Sequence, residues 1–293
     1  MSASVLAVDL GGGHCRAALG SAEKPAAARR IGVWPAPAAR DEFLALLGSQ
    51  LAETGARRLG LAIPGLAHGT TCRWVPNLAY LDGLDLEAAL PGVVVALGND
   101  AHFALLAEAR AGAAADLSNA ILLAIGTGVG SAVLAERRIV RGGHGGACSF
   151  GWAMASLDEP DEGRSGWLER MSSGRALDRI ASGLGLADGP ELIGRARAGD
   201  ARAQEALRAP ALALAAALAG AIGLLDPEAI LFAGGVSAAL DVLGPMIRSA
   251  LARRLPPHLR DAELRAAHFG AEASLFGAAF AGAHGPEWWN ARG

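Results

Sequence analysis

A chain of 293 residues is long enough for two domains of about 100 to 200 residues each. Its net charge of −3 and lack of any basic tract exclude the electrostatic footprint that neutralises a nucleic-acid backbone or docks on anionic lipid. Hydrophobic residues make up 52% of the chain but aromatics only 5%, and Ala and Gly supply much of the apolar content, so the core must rely on close backbone packing.

The N-terminal MSASVLAVDL has no basic region before its apolar stretch and no small-residue cleavage pattern after it, so no secretory leader is expected. Val5–Leu10 reads as a strand ending at Asp9, Gly11-Gly12-Gly13 turns the chain, and Cys15–Leu19 returns, making residues 4–20 a hairpin. Phe43, Leu44, Leu47 and Leu51 share one helical face behind Asp41, an expected N-cap. Leu59–Ile63 follows as a strand stopped by Pro64-Gly65.

Val93–Leu97 is a further strand, Gly98-Asn99-Asp100 breaks it, and Ala101–Ala111 consists of strong helix formers. Asp100 therefore stands where a strand gives way to a helix. A carboxylate there either faces a cleft and takes a hydroxyl proton as general base, or caps the helix. Ile121–Ile125, Gly126-Thr127-Gly128-Val129-Gly130 and Ser131–Leu134 repeat the strand, glycine turn, strand pattern of the first hairpin and suggest two related halves.

Residues 156–166 show no apolar periodicity and read as a surface loop. The run Ala211–Leu225 falls short of the roughly 20 residues that span a bilayer and reads as a buried helix. Ala229–Ala233 is a strand ending in the turn Gly234-Gly235, and Ala271–Ala281 is a closing helix.

Glycine turns allow backbone N–H groups to approach phosphate oxygens, and tight hairpins use the same residues; two such turns together favour the phosphate reading. No GxxxxGK[ST] is present, and Gly126–Gly130 leads into a strand, which excludes a P-loop and a dinucleotide fingerprint. Asp9 is either a ligand to Mg²⁺-bound water or a turn stabiliser. The seven histidines form no close ligand pair. Cys15, Cys72 and Cys148 lack CxxC spacing, which argues against disulfides and fits a reducing, cytoplasmic compartment.

In order, DLGGGHCRAALG, LAIPG, PNL, GND, GTGVGS, SSGRAL, DPEAILFAGGVS and FGAEASLFGAAFAG resemble the ROK family of sugar kinases and related repressors over nearly the whole chain. The resemblance implies an α/β actin- and hexokinase-like (ribonuclease H-like) fold of two domains with a central cleft. The small domain would comprise residues 1–115 plus about 278–293 and the large one 116–277, with hinges near Gly112–Asn119 and before the final helix. It implies Asp100 as catalytic base, with Asp9, Gly11, Gly12 and Gly13 at the first phosphate loop and Gly126, Thr127, Gly128 and Gly130 at the second. Gly234 and Gly235 would lie by the adenosine, and Gly65, Asn77, Asn99 and Glu169 would line the acceptor pocket. ATP and Mg²⁺ are the implied cofactors, a sugar-like small molecule the acceptor, and a homodimer the assembly.

This chain departs from the family pattern in three places. The family's GEIGH reads Cys148-Ser149-Phe150-Gly151-Trp152, so Ser149 and Trp152 replace two acceptor ligands. Trp152 either stacks on the acceptor or plugs space left by the metal. The cysteines of the zinc segment are absent from Pro160–Glu169, so no metal-binding residues and no structural zinc are expected. Gly13 replaces a threonine of the first phosphate loop. The expected activity is ATP-dependent phosphorylation of a sugar or sugar-derivative hydroxyl. The alternatives are a non-catalytic sugar- or nucleotide-binding protein and a repressor, the latter disfavoured by a first strand that begins at Val5.

Overall fold

The computed structural model describes residues 3–147, 149–156 and 165–289. The first part of the chain runs β1 (Ser4–Leu10), β2 (His14–Ser21), β3 (Arg29–Pro35), α1 (Arg40–Thr54), β4 (Arg58–Ile63), β5 (Leu66–His68), β6 (Thr71–Trp74), α2 (Leu86–Ala89), β7 (Val94–Asn99) and α3 (Asp100–Ala111). Next come β8 (Ala120–Ile125), β9 (Val129–Ala135), β10 (Arg138–Ile139), α4 (Trp167–Ser172), α5 (Gly174–Gly183), α6 (Gly189–Arg197) and α7 (Ala201–Ala206). The chain closes through α8 (Arg208–Leu225), β11 (Ala229–Ala233), α9 (Leu240–Ala252), β12 (Glu263–Ala266) and α10 (Ala273–His284).

Two compact units result. The first contains Met1–Asp116, Ala132–Cys148 and Glu272–Gly293; the second contains Leu117–Ser131 and Ser149–Ala271. Residues 132–147 pack with the first unit because β10 contacts α3 and Ile139 donates its backbone N–H to Trp289 O at 2.8 Å.

The first unit is built on a five-stranded sheet of order β3-β2-β1-β4-β7. β1 pairs antiparallel with β2 and parallel with β4, and β4 pairs parallel with β7. Alternate residues Leu6, Val8 and Leu10 of β1 join Leu59, Leu61 and Ile63 of β4 and Phe43 and Leu47 of α1 in one buried cluster, the period-2 pattern of a sheet face. The other face carries α10 and α3, where a Cβ at Gly277 would run into the backbone of Phe103. Close approach of small residues thus replaces aromatic bulk.

α1 starts one residue before the expected cap. Ala39 holds the N-cap position without a side-chain bond, and the Glu42 carboxylate accepts from Ala38 N at 2.9 Å instead, leaving Asp41 in the first turn. Cys15 and Cys72 are buried free thiols, and burial pushes each up to about 12.

In the second unit β8, β11 and β12 run parallel, with β11 in the middle. Glu228 before β11 accepts from the backbone N–H groups of Ser118 and Asn119, both at 2.7 Å, and so ties the entry of β8 to that of β11. The apolar run expected as a buried helix is α8, of which Pro210, Ala211, Ala213, Leu214, Ala215, Leu218 and Ile222 are buried while Leu224 is 83% exposed. Residues Ala201–Leu225, spanning α7 and α8, are long and apolar enough to cross a membrane by length and composition. Here they pack through one face on α4 and α9.

Candidate active site

Three parallel strands of the first unit end together. Their register aligns Asp9 with Ala62 and Ala62 with Gly98. With neighbouring strands about 4.8 Å apart, Asp9 and the turn bearing Asn99 and Asp100 stand about 10 Å apart in backbone position at the carboxyl edge of the sheet. In open α/β sheets that edge is where ligands bind.

Asn99 supplies the cap that the sequence left open between helix termination and catalysis at Asp100. Its side-chain oxygen accepts from Ala101 N at 3.0 Å and His102 N at 3.4 Å, while its Nδ2 donates to Gly65 O at 3.2 Å. Asp100 is the first residue of α3, and its Oδ1 also accepts from Ala101 N at 2.8 Å. Because Asn99 satisfies the helix end, Asp100 is not required as the cap.

Burial raises the Asp100 carboxyl from 3.8 to about 6, and the Asp9 charge adds to the effect; the amide donors of Ala101 and Asp100 and the Asn99 side chain oppose it. A carboxylate near 6 is mostly ionised at neutral pH yet basic enough to take a hydroxyl proton in a transition state.

Asp9 is 4% exposed and forms an ion pair with Arg16, the residue opposite it across the hairpin. The sequence reading missed Arg16, although a hairpin closed by a three-glycine turn brings residues at such spacing face to face. Gly11 N donates to His14 O at 2.8 Å and closes the turn. Gly12 lies beside Asn77, 3.7 Å separating an added Cβ from Asn77 Cβ, whereas a Cβ at Gly13 would meet nothing within 4 Å. Gly65 needs its missing side chain for a local reason, since a Cβ there would strike the backbone of Trp74 and Val75. The first unit thus brings together Asp9, Gly11, Gly12 and Asn77 around one turn and Gly65, Asn99 and Asp100 around another.

The second unit gathers the remaining glycines. Gly126 N donates to Gly128 O at 3.0 Å, and Gly126 O accepts from Gly174 N at 2.7 Å, which fixes the turn against the start of α5. Gly234 has φ of 78°, in the left-handed region, and a Cβ there would lie 2.6 Å from Ile125 O. The Gly234 turn therefore stands beside Ile125 and Gly126, in line with the parallel pairing of Ala233 with Ala124. Gly130 lies one residue into β9. Glu169, placed by resemblance near the acceptor, accepts from Val129 N at 3.0 Å through Oε2, and a Cβ at Gly128 would lie 2.6 Å from that oxygen.

Ser149 precedes a short 3₁₀ turn, Phe150–Trp152, and its carbonyl accepts from Trp152 N at 3.1 Å. Trp152 is 48% exposed, so its indole does not fill a closed space. Among the described residues no group of three or more His, Cys, Asp or Glu side chains stands together to hold a metal. Cys148 and residues 160–164, half of the segment corresponding to the family's zinc motif, lie outside them.

Each glycine turn, taken by itself, is open to an anion. Gly13 and Gly126 leave open space where an added Cβ would sit, so an anion can approach their backbone. Asp9 offers a carboxylate suited to Mg²⁺, which keeps several waters and takes one or two carboxylates besides phosphate.

Residues 5–282 match the sequence profile of the ROK family. The chain is 32% identical over 291 residues to the bifunctional enzyme NanE/NanK of Brucella melitensis biotype 1, covering 95% of this chain and 54% of the relative, so it spans about half the length of that relative. It is 31% identical to the N-acetylmannosamine kinase of Escherichia fergusonii over 290 residues, 94% of this chain and 97% of the relative. The fold matches the crystal structure of a ROK family glucokinase from Streptomyces griseus in complex with glucose and AMPPNP, with a TM-score of 0.76 and 26% identity over 96% of this chain and 100% of that one. The expected hexokinase-like α/β fold is the one observed.

Proposed function

This chain belongs to the ROK family, and from that premise we propose that it transfers a phosphoryl group from ATP to a hydroxyl of a sugar or sugar derivative. The observation that carries the reading is Asp100: a carboxyl raised to about 6 at the carboxyl edge of the first sheet, with the helix end capped by Asn99 rather than by Asp100 itself.

In this reading Asp100 takes the proton of the acceptor hydroxyl as the oxygen attacks phosphorus. Asn99 holds the acceptor against the turn, helped by Gly65, whose carbonyl sets the orientation of the Asn99 amide. Catalysis of this kind is mostly positioning and charge stabilisation. The backbone N–H groups of the turns at Gly11–Gly13 and Gly126–Gly128 receive phosphate oxygens, and Gly234-Gly235 lies by the nucleoside. Asp9 would hold Mg²⁺, which would supply charge neutralisation for the phosphates. Arg16 fixes the Asp9 carboxylate in place by its ion pair. Ser149, Trp152, Asn77 and Glu169 complete the acceptor and loop contacts, and the family resemblance extends the proposal to a homodimer.

N-acetylmannosamine heads the acceptor panel because a relative of that activity aligns over nearly its whole length; glucose, other amino sugars, pentoses and polyols follow. Incubation with Mg-ATP and detection of a phosphorylated product by mass spectrometry tests the reading. A product with one acceptor class supports it and names the class. Bound ATP with no product across the panel supports a binding protein instead.

A further inference from the structure

Two consecutive aromatic residues near the end of the described chain belong to neither glycine turn. Trp288 is 3% exposed, and its indole N–H donates to Leu97 O at 3.0 Å, three residues before Asp100. Its ring meets Phe103 of α3 edge-on, with centroids 4.7 Å apart. A Cβ at Gly98 would strike both rings, so Gly98 and Trp288 are matched in shape.

Trp289 holds a different element. Its carbonyl accepts from Ile139 N at 2.8 Å, and the Arg141 guanidinium lies over its ring, 3.3 Å from the centroid. The chain from Arg141 returns to α3 at Ala147, whose carbonyl lies 3.2 Å from His102 Nε2. A carbonyl only accepts, so Nε2 carries the proton in this contact; burial holds His102 down at about 4 and leaves it neutral at pH 7. Asn99, His102, Arg141, Gly145 and Trp288 line one cavity.

We propose that Trp288 and Trp289 form a positioning clamp. Trp288 sets the turn carrying Asn99 and Asp100, and Trp289, through Ile139 and Arg141, sets residues 139–147, of which Arg141 and Gly145 line the cavity beside Asn99. Neither ring is a catalytic group; each acts through the backbone or side chain it holds. The kinetic part rests on the kinase reading above. A displacement on the order of 1 Å at a reacting group lowers rate by about 10²-fold, so loss of one buried donor under Asp100 has a measurable effect.

The test compares Trp288→Phe, which keeps a ring but removes the indole donor, with Trp289→Leu, which removes the platform under Arg141. Leu47→Ala, in the α1 core, serves as a control for lost stability. All are assayed well below their melting temperatures. Trp288→Phe is expected to lower kcat about 10-fold or more with the KM for Mg-ATP unchanged; Trp289→Leu is expected to raise the acceptor KM several-fold with a smaller change in kcat; Leu47→Ala should show neither pattern. Amide hydrogen exchange on the substrate-free proteins gives a second readout. It should rise over residues 97–103 in Trp288→Phe and over residues 139–147 in Trp289→Leu. Exchange unchanged in these segments, or kinetic losses that track stability alike in all three variants, overturns the clamp. If the wild-type protein phosphorylates no acceptor, the kinase reading fails and the exchange experiment still decides the clamp.

Discussion

The buried carboxylate of Asp9 raises the proton affinity of Asp100, two strands away along the same sheet edge. Asp9→Asn removes that charge, so Asp100 titrates closer to the ordinary carboxylate range. The acid limb of the kcat/KM profile is expected to move to lower pH, and a pH–rate series on both proteins measures the shift.

The same environment makes Asp100 a liability to stability at neutral pH. Its folded-state value of about 6 lies above the unfolded value near 3.8, so the folded protein binds the proton more tightly. That contribution is present below about pH 4 and is lost as pH rises through about 6. Asp100→Asn is therefore expected to be more stable than wild type at pH 7, by roughly 1 to 3 kcal/mol, with the gain gone at pH 4. Urea unfolding at the two pH values checks both sign and window.

Asn99 has two separable duties. Asn99→Asp keeps an oxygen for Ala101 N and His102 N but cannot donate to Gly65 O, and it adds a charge beside Asp100. Its helix should persist while the acid limb moves to higher pH and the acceptor KM rises. Asn99→Ala loses the cap as well and should be destabilised by about 1 kcal/mol. Thermal melts with acceptor titrations separate the two duties.

The glycines differ in what they can accept. A Cβ at Gly128 would press on the Glu169 carboxylate that holds Val129 N, whereas one at Gly13 would meet open space. Gly128→Ala is expected to destabilise by about 1 to 3 kcal/mol, a typical overpacking penalty, and to raise the KM for ATP. Gly13→Ala should leave the melting temperature within a degree or two, roughly the span of a surface change.

Strands that are buried apolar runs closed by Gly or Pro were readable from the residues alone, as at Val5–Leu10, Leu59–Ile63 and Ala229–Ala233. β3 was not, because Arg29–Pro35 is an edge strand exposed over most of its length, with its apolar Ile31 and Val33 on the exposed side. The short hairpin of β5 and β6 was hidden by the Pro64-Gly65 stop. At the site, Asn99 and Asp100 are both good capping residues, and only the side-chain geometry shows that Asn99 takes the helix end. Arg16 was legible in principle from hairpin register. Trp288 was not, since its partner Leu97 O is a backbone atom 191 residues away in sequence.

The most direct measurement is single-turnover phosphoryl transfer from Mg-ATP to the acceptor identified in the panel, by wild-type and Asp100→Asn proteins with nucleotide binding measured alongside. The variant is expected to bind ATP as wild type does and to transfer about 10² to 10⁴ times more slowly, the usual range for a positioned general base. Transfer at the wild-type rate would contradict this and remove Asp100 from the chemistry.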